Sequence, residues 1–79
     1  KGVCGHCALS RKSIMVPDVH AFPGHIACDA ASKSELVVPI IHNGILFGVI
    51  DLDAPEYDHF TDTDKHFIEA IAEIFSQKL

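Results

Sequence analysis

Tryptophan is absent from this 79-residue sequence, and Lys and Arg together number six against eleven Asp and Glu, a formal net charge of −5. So few cations cannot follow a phosphate backbone, and nucleic acid is not an expected partner. Long apolar runs are lacking too. The two densest, residues 36–41 and 45–50, are too short to cross a bilayer. No basic start followed by an apolar stretch and a small-residue cleavage site opens the chain, so no membrane association is expected and the cytoplasm is the expected compartment. Cysteine is scarce and odd in number, with Cys4, Cys7 and Cys28. Without an export signal, three thiols fit reactive groups, metal ligands or small buried side chains better than a disulfide scaffold.

What is present argues for a packed core. Apolar residues make up 48% of the chain, enough for burial to compete with disorder, although a globule this small buries only roughly 60% of its unfolded surface. Residues 1–12 predict a short helix: Gly2 gives a flexible entry, Ala8 and Leu9 favour the helix, and Arg11 and Lys12 suit its C-terminal dipole end. Residues 13–16 read as a strand stopped by Pro17, and residues 18–34 as a long loop around Pro23-Gly24. Two β-rich runs then flank Asn43-Gly44, the favoured dipeptide of a two-residue hairpin, and Pro39 predicts an edge or a bulge where it stands. The cluster Thr61-Asp62-Thr63-Asp64 offers a cap for a terminal helix. There Phe67, Ile68, Ile71, Ile74, Phe75 and Leu79 recur at the spacing of one buried face, expected to cover the hairpin. Together these elements predict an α+β fold. A hairpin and one helix leave open sheet edges, so the chain is expected to be the C-terminal part of a larger domain, pairing as a homodimer or with an N-terminal segment.

Several residues can carry chemistry. Asp51 and Asp53 lie two apart on one strand face, about 6.8 Å along the strand. They could hold an ammonium group or raise each other's pKa so that one acts as an acid; a solvated strand end is the plainer reading. Cys28 sits on the long loop beside Asp29, a neighbour that opposes the thiolate, and a buried structural cysteine also fits. Glu35 could join the acidic cluster or stand exposed at a strand start. Cys4 at a helix start predicts a depressed pKa, because the helix dipole favours the thiolate. Cys4-Gly5-His6-Cys7 repeats the dithiol motif of protein disulfide isomerases letter for letter. Cys4 and Cys7 with His25 and Cys28 also form two ligand pairs separated by seventeen residues, a candidate zinc set of three cysteines and one histidine.

Read together, Gly2-Val3-Cys4-Gly5, Asp18-Val19-His20, Gly24-His25-Ile26-Ala27-Cys28-Asp29-Ala30, Ser34-Glu35, Gly48-Val49-Ile50-Asp51-Leu52-Asp53 and Phe60-Thr61 resemble, in order and spacing, the C-terminal half of the free methionine-R-sulfoxide reductases, which are single GAF domains. The 24-residue step from Cys4 to Cys28, with Glu35, Asp51 and Asp53 in place, makes the set specific. The resemblance implies part of a GAF fold over residues 1–79. It implies that Cys28 attacks the sulfoxide sulfur, that Cys4 takes part in forming a disulfide from the resulting sulfenic acid, and that thioredoxin, supplied by NADPH, reduces it. Glu35, Asp51 and Asp53 match the acidic residues that hold the free amino group and help protonate the departing oxygen. No bound cofactor is implied. A further family cysteine upstream of Cys4, the first strands of the sheet and an aromatic pocket wall have no counterpart in this sequence, and Cys7 is not a family position. Two other readings use the same residues: a non-catalytic GAF ligand sensor, and the zinc-stabilised module.

Overall fold

In a computed structural model that describes residues 2–21 and 32–79, helix α1 spans Gly2–Ser10, strand β1 Ile14–Val16, a single 3-10 turn Val19–Ala21, strand β2 Ser34–His42, strand β3 Ile45–Ala54 and helix α2 Asp62–Ser76. The described strands form one antiparallel sheet in the order β1-β2-β3. The α+β class read from the sequence therefore holds.

Asn43 and Gly44 turn β2 into β3 with φ of 53° and 77°, the left-handed pair that suits a two-residue hairpin because its twist matches that of the strands. Pairing then runs from His42 opposite Ile45 to Ser34 opposite Ala54. It is interrupted once, where Ile41 faces Leu46 and Ile40 faces Gly48, leaving Phe47 as the extra residue of a bulge. Pro39 obeys its expected restriction. The described β1 stops at Ile14 opposite Val37, so Pro39 lies past the last pair on that side and next to the bulge.

Residues of β2 alternate between two layers, which is why this strand reads as an apolar run and not as alternating polarity. Val37 points toward α1 and packs with Val3, Cys7, Val16 and Val19. Leu36 and Val38 point the other way and pack with Ala72 of α2, flanked by Ile50, Leu52 and Ile68. Leu36 and Val37 are completely buried, a contribution of roughly 1.5–3 kcal/mol for each such side chain.

Two expectations need correction. Helix α1 ends at Ser10, and Arg11 adopts the left-handed conformation with φ 59°. Its N–H closes the helix on Cys7 O at 2.8 Å, while its guanidinium donates to the carbonyl of Gly44 in the hairpin turn and does not serve the helix dipole. The second concerns α2. It does cover the hairpin, but through Ile68 and Ala72, four residues apart, with Ser76 a further four on also buried. Phe67, Ile71, Ile74, Phe75 and Leu79 are exposed, from 41% for Ile71 to 65% for Phe67. The apolar stripe is wider than the strand surface it meets, and a single i, i+4 row is enough to seat the helix there.

Thr61 caps α2 as its sequence predicts. Its hydroxyl accepts from Asp64 N–H at 3.2 Å, and Asp64 Oδ2 accepts from Thr61 N–H at 2.9 Å, the reciprocal box that satisfies two otherwise orphaned donors. Thr61→Ala is expected to lower stability by about 1 kcal/mol, and Thr61→Ser to retain most of it. Urea unfolding checks both.

Candidate functional site

Strand register decides which acids meet. Asp53 is the partner of Glu35 and Asp51 the partner of Val37, and partners across an antiparallel pair share a face. Val37 belongs to the α1 layer, so Glu35, Asp51 and Asp53 do too. Glu35 is only 5% exposed, whereas Asp51 and Asp53 stand at the exposed end of β3.

Helix α1 brings a thiol to the same place. Val3 and Cys7, four residues apart, anchor the helix to the core, and Cys4 on the same side donates its Sγ hydrogen to Asp51 Oδ2 at 3.3 Å. The donor atoms of Cys4, Glu35 and Asp51 lie within 4.8 Å of one another.

The electrostatics follow from this crowding. Burial pushes the Glu35 carboxyl up to about 8, aided by its hydrogen bond with Asp51 and by the charges of Asp51 and Asp53. Two carboxyls can share a hydrogen bond only if one keeps a proton, and burial assigns that proton to Glu35. Below pH 8 this side chain is therefore a neutral acid beside two more exposed acids. Cys4 departs from its expected behaviour. Its pKa is pushed up to about 12, first by burial, then by the hydrogen bond to Asp51 and the charges of Asp51 and Glu35. Desolvation, together with the hydrogen bond to Asp51 at 3.3 Å, outweighs the partial charge of a helix start.

Cys7 is fully buried among Val3, Val16, Val19 and Val37, and burial followed by the Asp51 charge raises its pKa as well. The two thiols of the C-x-x-C pair thus have different surroundings, a carboxylate for one and a packed apolar cluster for the other. Among the described residues, the donor group close enough to hold an ion is Cys4, Glu35 and Asp51, which leaves Cys7 out. Cys28 and His25 lie outside the described residues, and with them the expected position of the Cys28 sulfur beside the three acids.

Two serines carry contacts to which the sequence reading assigned no role. Ser32 donates to Asp53 Oδ1 at 3.0 Å. Ser34, completely buried, donates to Glu56 O at 2.6 Å and accepts from His59 N–H at 3.4 Å, bracing the chain as it leaves β3. Neither lies in a pattern that alternation or spacing could single out; both roles appear only once the strand register is fixed. A cavity of about 380 Å³ opens on the other layer, lined by Arg11, Pro39, Ile41, Glu69 and neighbours. None of Cys4, Glu35, Asp51 or Asp53 lines it. No helix among the described residues is long and apolar enough to cross a membrane.

Comparison with known proteins gives the family of the chain. Residues 1–79 match the GAF domain family. The sequence is 50% identical over 78 residues to the free methionine-R-sulfoxide reductase of Saccharomyces cerevisiae, covering 98% of this chain and 43% of that protein. Its fold superposes on the reduced form of fRMsr of Staphylococcus aureus with a TM-score of 0.96 and 53% identity, over 100% of this chain and 51% of that one. It superposes on the free methionine-R-sulfoxide reductase of Neisseria meningitidis, solved in complex with its substrate, with a TM-score of 0.94 and 38% identity, over 98% of this chain and 46% of that one. The chain spans about half the length of the relatives it matches.

Proposed function

The chain belongs to the GAF domain family, and we propose that it is the C-terminal portion of a single GAF domain whose complete protein reduces free methionine-R-sulfoxide to methionine. The observation that carries this reading is the buried, protonated Glu35 hydrogen-bonded to Asp51 and facing Asp53. Such a set offers negative charge for a substrate ammonium and a neutral acid for an oxygen that gains electrons. The similarity to reductases of yeast and Staphylococcus aureus supports it.

In this reading the Cys28 thiolate attacks the sulfoxide sulfur. The Sγ–S bond so formed and the original S–O bond then both break as the protonated oxygen passes to Cys28 Sγ, leaving a sulfenic acid on Cys28 and releasing methionine. Glu35 supplies a proton to the departing oxygen, while Asp51 and Asp53 hold the free amino group. A second thiol then condenses with the sulfenic acid, forming a disulfide and releasing water. Cys4 can serve as that thiol if its proton passes to Asp51, the carboxylate it already contacts. Reduced thioredoxin exchanges with the disulfide, and NADPH restores the thioredoxin. No bound cofactor enters the cycle. Reducing thiols and this external couple fit a cytoplasmic setting, with the open sheet edges met by an N-terminal segment or a second copy.

The test is an NADPH-linked assay on the complete protein with thioredoxin and its reductase. Free methionine-R-sulfoxide should sustain NADPH consumption, and the N-acetylated compound should be poorer by about a hundredfold or more, because it lacks the ammonium group that Asp51 and Asp53 hold in this reading. Equal rates with both compounds, or binding of the free sulfoxide without NADPH consumption, would refute the proposal. The latter result would mark a ligand sensor.

A further inference from the structure

Asp53 is exposed at the end of β3, yet one of its oxygens is held. Ser32 Oγ donates to Asp53 Oδ1 at 3.0 Å. Ser32 is only 7% exposed, and the backbone beside it is pinned on two sides. Lys33 N–H donates to Ala54 O at 2.8 Å, and Val19 N–H donates to Lys33 O at 2.9 Å. A buried hydroxyl on a fixed backbone is therefore aimed at one oxygen of an otherwise free acid.

An exposed aspartate with no such partner samples several rotamers, and ordering it on substrate binding costs entropy. The other acid at this end of β3 is treated alike, since Asp51 Oδ2 is occupied by the Cys4 thiol. Asp51 also shares a hydrogen bond with Glu35, so Asp53, with Oδ1 engaged by Ser32, is the acid whose second oxygen is offered to a cation. Ser34 cannot substitute for Ser32, because its hydrogen goes to Glu56 O at 2.6 Å.

We propose that Ser32 is a positioning residue, whose hydroxyl fixes the Asp53 carboxylate opposite Glu35 so that its remaining oxygen receives the ammonium group of a free amino acid. The identity of that amino acid rests on the reductase reading; the orientation of Asp53 does not. The groups around Glu35 are Asp51 and Asp53 of β3 and Cys4 of α1, with Cys7 behind Cys4. Of these, Asp53 is the one whose placement depends on Ser32.

The test compares Ser32→Ala and Ser32→Thr with the parent in the complete protein. Ser32→Ala should raise KM for free methionine-R-sulfoxide about tenfold or more, the cost of a misplaced binding group, with kcat within a factor of two. Ser32→Thr, which keeps the hydroxyl, should restore KM. Carbon-13 NMR of the side-chain carboxyls gives a readout independent of turnover: in Ser32→Ala the Glu35 titration midpoint should fall, because a wandering Asp53 spends less time near it. Asp53→Asn approaches the same contact from the other side, and adding Ser32→Ala to it should change KM no further. If Ser32→Ala lowers thermal stability but leaves both KM and the Glu35 titration unmoved, Ser32 is only a brace and the proposal is overturned. Should the parent itself show no turnover, the reductase reading fails alone, and the Glu35 midpoint still decides whether Ser32 positions Asp53.

Discussion

Replacing Cys28 by serine in the complete protein is expected to reduce NADPH consumption with free methionine-R-sulfoxide by at least about a thousandfold, to the uncatalysed rate. The reaction requires a group that can attack sulfur, accept its oxygen and then be attacked in turn by a thiol. A serine hydroxyl fails the first requirement because it does not ionise near neutral pH, and it fails the last because an oxygen adduct cannot collapse to a disulfide. Among the cysteines, the described residues already argue against the other two as the attacking group. Cys7 is sealed in the core, and Cys4, with its pKa pushed up to about 12, holds its proton firmly against Asp51. Methionine release should be lost as well, so a quench assay for free methionine in the absence of thioredoxin separates loss of attack from loss of recycling. Full release of one methionine per chain from Cys28→Ser would move the nucleophile elsewhere and end the assignment.

The hairpin was readable from the sequence because its determinants are local. Asn43-Gly44 fixes the turn and the period of two sets Asp51 and Asp53 on one face, but Glu35 joins them only through the bulge at Phe47, since unbroken pairing from His42 and Ile45 would set it opposite Leu52. The cap at Thr61 is local in the same way. What the sequence did not disclose depends on contacts across long separations. A glutamate at a strand start reads as exposed, and Glu35 is buried because α1, more than twenty residues earlier in the chain, lies over its face of the sheet. Cys4 reads as activated from its helix position, and the decisive neighbour is Asp51, 47 residues away. The apolar stripe of α2 reads as one buried face, and how much of it is covered is set by the strand surface it meets, not by its own periodicity. The resemblance to the reductases carried information that the spacing of single motifs does not, since it joined Cys4, Glu35, Asp51 and Asp53 before any of them could be shown to touch. The structure then brought Cys4, Glu35 and Asp51 within 4.8 Å of one another, while the position of Cys28 falls outside the described residues.

The second large effect belongs to Glu35→Gln, which keeps the shape and neutrality of the protonated side chain but has no proton to give. Turnover of free methionine-R-sulfoxide is expected to fall by about 10²–10⁴-fold, the usual worth of a general acid. In the parent the rate should decline as pH rises through about 8, where Glu35 ionises; in the variant that decline should vanish. Stability moves the other way. The folded pKa of Glu35 lies above the ordinary 4.5, so folding favours the protonated form. The stability this provides is complete below pH 4.5 and is lost as pH rises through 8. Glutamine cannot ionise, so Glu35→Gln should match the parent's thermal midpoint near pH 4, below the ordinary 4.5, and exceed it at pH 9 by about 4 °C or more. Opposite signs in the two assays are what an acid kept neutral by burial requires. A glutamate that merely carried surface charge would move neither, and one that served only as a structural hydrogen-bond donor would leave the alkaline decline in rate untouched.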